Sequence, residues 1–158
     1  MESLAYLLQG FQTACSGWNL LYSLVGVSFG MFVGVLPGLG PTAGTALLLP
    51  LTYGMDPVSA VIMLAGIYYG AMYGGTITSV LINVPGESAS LITCMDGYPM
   101  ARQGRAGTAL GVAAIGSFIG GMIALAILIL VGPLVASQAL KFGPPEYFAL
   151  VVVGLSLL

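Results

Sequence analysis

Two short strings hold most of the chemistry this 158-residue chain can offer. They are Pro37-Gly38-Leu39-Gly40-Pro41-Thr42-Ala43-Gly44 and Asn83-Val84-Pro85-Gly86-Glu87-Ser88-Ala89-Ser90. Each follows an apolar stretch with Pro-Gly and then small hydroxylic residues. Proline removes a backbone donor and glycine tolerates irregular backbone, so both strings read as interruptions of helix. A helix that restarts after such a break presents free N–H groups and the positive end of its dipole, which suit a negatively charged group. Gly38, Gly40 and Thr42 in the first break, and Asn83, Gly86, Ser88 and Ser90 in the second, are therefore candidate substrate- or ion-binding residues, and Thr45 adds a further hydroxyl. The plainer alternative is a pair of structural kinks held by neighbouring helices.

Glu87 stands apart from these neutral groups. An acid beside a break at membrane depth is costly unless it is paired, solvated or protonated, which makes it a candidate sodium ligand or proton carrier. It would repel a polyanion directly. The competing reading is a watery helix cap that satisfies backbone donors. Asp56, followed by Pro57, reads as a plain helix cap with proline in the first turn.

Other chemistries find no support. Gly86-Glu87-Ser88-Ala89-Ser90 loosely resembles a hydrolase nucleophile elbow, but the closing glycine is missing. The chain has no histidine to act as base, and its single lysine, Lys141, sits near a loop. Neither glycine-rich string ends in the Lys-Ser/Thr of a phosphate-binding loop. Two distant cysteines, Cys15 and Cys94, give neither a zinc site nor a disulfide framework and read as apolar filler. An enzyme is not expected, and no cofactor or metal is expected beyond a coupling ion.

The elements that must position the two strings lie in lipid. Five acidic and three basic residues stand against 58% hydrophobic ones, whereas soluble domains carry roughly a quarter charged residues. No charge falls between Glu2 and Asp56, between Asp56 and Glu87, or from Ala106 to Leu140. Uncharged apolar runs of about 18 residues or more read as membrane spans. The expected fold is an all-α integral membrane protein: polytopic transmembrane helices with two broken or re-entrant segments. A formal net charge of −2 and the lack of a basic cluster argue against nucleic acid as a partner.

Along the chain, residues 1–16 read as an interfacial amphipathic helix with Leu4, Leu7, Leu8 and Phe11 on its apolar stripe. Trp18 fits an interfacial anchor and Asn19 a helix cap. Spans are expected at about 20–36, at 45–54 after the break at 37–44, at 57–83 with the break at 84–90, at 106–131 ending at Gly132-Pro133, and at 144–158. Asp96-Gly97-Tyr98-Pro99 reads as a turn, followed by a loop carrying Arg102 and Arg105. Those two arginines favour the cytoplasm for their loop and Lys141 votes the other way, leaving orientation open. Gly26, Gly30 and Gly34 recur every fourth residue, as do Gly66, Gly70 and Gly74. Such spacing makes a groove where another helix backbone can approach closely. Gly107 and Gly111, then Gly116 and Gly120, repeat the spacing.

Several strings carry a family resemblance: GVLPGLGPTAG, LLPLTYGMDPVSAVIMLAGIYYGAMYGGTITSVLINVPGESAS and DGYPMARQGRAG. The chain resembles the TctA family, the large membrane subunits of tripartite tricarboxylate transporters, most densely from Gly34 to Gly107. The resemblance implies a multi-pass secondary transporter of the bacterial inner membrane. It would import citrate-like or other small organic acids on an ion gradient, with sodium or protons as coupling ion. Implied partners are a small membrane subunit and a periplasmic substrate-binding protein. Family members are much longer and carry related proline-glycine breaks in a second half. The chain therefore reads as the amino-terminal part, one half of a repeat-built transporter. The alternative is a non-transporting membrane scaffold or inactive fragment.

Repeat-built transporters hold substrate between halves. Expressed alone in a strain lacking organic-acid uptake, the 158-residue chain is expected to insert in membranes without transporting. Labelled citrate accumulation above the empty-vector control would overturn this.

Overall fold

A computed structural model describes residues 2–156. The side chains of Glu2 and Leu4, and residues 157–158 of the last expected span, lie outside what is described. Seven helices occur among the described residues: α1 (Glu2–Ala14), α2 (Gly17–Gly34), α3 (Gly40–Leu48), α4 (Pro57–Ile82), α5 (Leu91–Arg102), α6 (Ala106–Ala139) and α7 (Pro144–Ser156). Single 3-10 turns at Leu49–Thr52 and Ser88–Ser90 follow α3 and precede α5. No strand is present among the described residues. The chain divides into two compact units, one ending at Ala114 and the other beginning at Ile115.

The first unit is organised by α2 against α4. A side chain on Gly30 would fall on the carbonyl oxygen of Ile67, one on Gly34 on that of Ala71, and one on Gly26 on that of Met63. The opposite face answers in kind. Added carbons at Gly70 and Gly74 would meet the carbonyls of Val27 and Met31, and one at Gly66 would lie 2.9 Å from Ser23 O. Both sets of numbers rise together, so α2 and α4 run parallel with their backbones in contact. Lipid tails supply no hydrophobic drive between helices, and close packing of this kind replaces it. Ile67 is fully buried at the crossing.

Gly107 and Gly111 share the spacing, yet within their unit nothing lies within 4 Å of a side-chain carbon at either position among the described residues. The same holds for Gly116 and Gly120 within the second unit.

A parallel pair requires the chain to return between its members. The return limb comprises α3, the 3-10 turn and a tight turn at 53–55 that leads to Asp56, where the next helix is capped. Val58 N–H donates to Asp56 Oδ2 at 3.1 Å and Ser59 N–H at 3.4 Å. Helix α3 packs against both α2 and α4, and Gly44 sits where a side-chain carbon would lie 2.9 Å from Val33 Cγ1. The helix begins at Gly40, so only 35–39 is irregular, less than the expected break at 37–44.

Three local expectations are corrected. Asn19 does not cap α2. It lies buried inside that helix, where its Nδ2 donates to Thr13 O at 2.8 Å and its Oδ1 accepts from Ser59 Oγ at 2.6 Å. A buried amide needs both kinds of partner, and these tie α1, α2 and α4 together. Asp96 to Pro99 is no turn but part of α5. Gly97 is small because α5 packs on α4 there, with Val80 Cγ2 2.8 Å from where a side-chain carbon would stand. The loop shrinks to the residues between Arg102 and Ala106. Finally, Gly132-Pro133 does not end a helix. α6 continues through it to Ala139 over 34 residues, as membrane helices tolerate proline when local adjustments satisfy the freed carbonyl.

The second unit carries the remainder of α6 and α7. Glu146 starts α7 by accepting from Gly143 N–H at 2.8 Å.

Gly30→Leu in a full-length permease carrying this segment should collapse the yield of folded protein. Leucine there meets main chain, so the cost should exceed the roughly 1–3 kcal/mol of ordinary overpacking. Val61→Leu, on the exposed side of α4, should be tolerated. Thermal stability in detergent reads both; an unchanged Gly30→Leu protein would mean the face looks at lipid.

Candidate functional site

The two breaks, more than forty residues apart in sequence, line one open-sided cavity of about 650 Å³. From the first come Gly38 and the opening residues of α3, Gly40, Pro41 and Thr42. From the second come Pro85, Gly86, Glu87, Ser88 and Ala89, with Leu91 at the start of α5. Tyr68 and Met72 of α4 complete the wall.

Local sequence explains how each break reaches this place. Gly38 and Gly40 have φ of +87° and +64°, a region other residues rarely adopt. They turn the chain from the end of α2 into α3, and Pro41 sits in the first turn of α3, where its missing N–H costs nothing. In the second break Asn83 takes a left-handed conformation at φ 58° and closes α4, its N–H donating to Thr78 O. Gly86 then lies against main chain. A side-chain carbon there would fall on Gly75 Cα and stand 2.9 Å from Gly34 O. Since Gly34 ends α2 just before the first break, this contact sets the two breaks side by side.

The candidate residues now separate. Gly38, Gly40, Thr42, Gly86, Glu87 and Ser88 line the cavity. Asn83 and Ser90 do not. Asn83 is an exposed helix cap. Ser90 is buried and holds the turn: Glu87 N–H donates to Ser90 Oγ at 3.2 Å, and Ser90 Oγ donates to Glu87 O at 2.9 Å. Thr45 is likewise committed, donating to Pro41 O at 2.7 Å. Tyr68 and Met72 were missed by sequence reasoning. Their four-residue spacing within α4 is the only signal, and it does not say which face meets the breaks.

Chemically, the cavity offers neutral donors and one acid. Thr42, Ser88 and Tyr68, each bearing a hydroxyl, line it together with the residues that open α3, and no lining residue is basic. Among the described residues no cluster of acidic or cysteine side chains is placed to hold a metal ion.

Among the described residues three helices are long and apolar enough to cross a bilayer: Gly17–Gly34, Pro57–Ile82 and the Ala106–Ser137 portion of α6. With an all-helical fold, they define an integral membrane protein of the helical class. The chain belongs to the tripartite tricarboxylate transporter TctA family, which is matched over residues 20–158. It is similar to a protein of Agrobacterium vitis described as an uncharacterized 52.8 kDa protein in the TAR-I ttuC' 3' region, with 56% identity over 155 residues. That match covers 98% of this chain and 31% of the relative, so the chain spans under a third of the relative's length. No solved structure matches.

The two serines should part company on substitution. Ser90→Ala removes the bonds that hold the second break and should cost on the order of 1 kcal/mol of stability. Ser88→Ala should leave stability unchanged. Thermal unfolding of the full-length protein in detergent measures both, and equal stability for the two variants would contradict the role assigned to Ser90.

Proposed function

We propose that this chain forms part of the substrate pathway of a secondary active transporter. It imports small organic acids of the citrate type across the bacterial inner membrane, as a multi-pass segment of the permease subunit. A small membrane subunit and a periplasmic substrate-binding protein complete the system. The chain is not an enzyme in this reading.

One observation carries the reading: both breaks meet at one cavity whose donors are neutral. A carboxylate crossing a bilayer has to leave its site again, so a permanent buried cation opposite it would hold it too firmly. Helix N-termini and hydroxyls give attraction without a full charge. Transporters commonly place such discontinuous helices at their sites. Glu87 supplies the other half of the logic. A polyanion and an ionised Glu87 repel at close range, so occupancy by substrate calls for a sodium ion or proton beside the carboxylate. That requirement links the two fluxes.

The test is labelled-citrate uptake into proteoliposomes holding a full-length permease that carries this segment, with its partner subunits. Thr42→Ala and Ser88→Ala should each raise half-saturation several-fold, on the order of 1 kcal/mol. Glu87→Gln keeps the shape and should lose dependence on the sodium or proton gradient while altering half-saturation less. Three variants that transport like the parent would reduce the breaks to structural kinks.

A further inference from the structure

The cavity has a wall that belongs to neither break. Helix α4 runs unbroken from Pro57 to Ile82, and it faces the cavity with Tyr68 and, one turn later, Met72. Residues four apart share a helix face, so these two present a single surface to the space between the breaks. Ile67, the preceding residue, is fully buried at the α2 crossing, whereas Tyr68 is partly exposed. Tyr69 follows it but does not line the cavity, and the two rings stand edge to face with centroids 6.2 Å apart. Position alone therefore distinguishes Tyr68 from its neighbour.

We propose that Tyr68 is a substrate-contacting residue that selects for acids with more than one carboxylate. The inference rests on the cavity being the substrate site. With no basic residue in the lining, an anion there depends on neutral donors. Thr42 and Ser88 supply one hydroxyl from each break, and the phenol of Tyr68 supplies a third from the continuous wall. Among the described residues none of these three hydroxyls donates to a protein acceptor, unlike those of Thr45 and Ser90. A phenol on a ring with two side-chain torsions loses little freedom on binding. Three donors on three separate elements fit acceptors spread across a molecule better than a single carboxylate. Met72 adds a polarizable, adaptable apolar surface for the carbon skeleton between those acceptors.

Tyr68→Phe removes the hydroxyl and keeps the ring, so the fold should survive and thermal stability should match the parent. In proteoliposome uptake with the full-length permease and its partner subunits, half-saturation for citrate should rise on the order of tenfold, as expected for loss of a hydrogen bond to a charged group. The maximal rate should be retained. Tyr69→Phe should match the parent in both. Acetate, offered as a competitor of citrate uptake, should gain on citrate in Tyr68→Phe. Should Thr42→Ala and Ser88→Ala shift half-saturation while Tyr68→Phe does not, the cavity reading stands and this proposal falls. Should none of the three shift it, the cavity reading falls and this one with it. An equal shift in Tyr69→Phe would assign the effect to ring packing and overturn the role of the hydroxyl.

Discussion

Close approach of two backbones is the constraint on which the first unit depends. In water, helices are driven together by the apolar surface they bury. In lipid that term vanishes, and what remains is contact quality. Six glycines, Gly26, Gly30 and Gly34 on α2 and Gly66, Gly70 and Gly74 on α4, bring main chain against main chain along the crossing. The parallel sense of the pair then dictates the rest. A return limb has to run from the end of α2 to the start of α4, which gives α3 its place beside both. The second break docks where the pair ends, because Gly75 and Gly34 leave room for Gly86 and for nothing larger. Helix contact and site geometry thus share one cause.

Polar groups within this unit follow a division of labour that lipid imposes. Several hydroxyls along α4 are bound to their own helix: Thr76 to Met72 O, and Thr78 and Ser79 both to Gly75 O. Such bonds satisfy a donor where water is absent. Asn19 is satisfied across helices instead, through Thr13 and Ser59. Thr42, Ser88 and Tyr68 instead line the cavity, beside its single acid Glu87.

How much of this was legible in the string depended on how local the cause was. Composition and charge spacing were enough for an all-helical membrane protein, and the idiosyncratic strings around Pro37 and Pro85 for the family. The Asp56 cap was legible because its acceptor and donors lie within three residues. Asn19, Gly97 and Pro133 were misread because each carries a strong local signal, cap, turn or helix stop, that a partner elsewhere or the surrounding lipid overrides. Glycine spacing announced grooves at Gly30 and at Gly111 alike, yet only the former has a helix opposite within its unit. Spacing records what a face permits and not what occupies it. For the same reason Ser88 and Ser90 looked equivalent. The string could not say that one serine would close a turn and the other would line a cavity with Thr42, since that division arises from a contact between Gly34, Gly75 and Gly86 spanning half the first unit.

The nature of the α2–α4 contact also bears on how this protein can change over evolutionary time. In most cores a bulkier residue on one side can be accommodated by a smaller one opposite, and second-site suppressors arise readily. Opposite Gly30 stands the carbonyl of Ile67, and opposite Gly70 that of Val27. Substitution alters side chains and leaves the peptide group unchanged. No replacement at position 67 or 27 moves that oxygen aside, so compensation has to come from displacing a whole helix. Because the breaks that line the cavity are docked at the end of the same pair, such a displacement would carry the site with it. Drift at these glycines is closed off even where exposed positions of the same two helices, such as Val61, are free to vary.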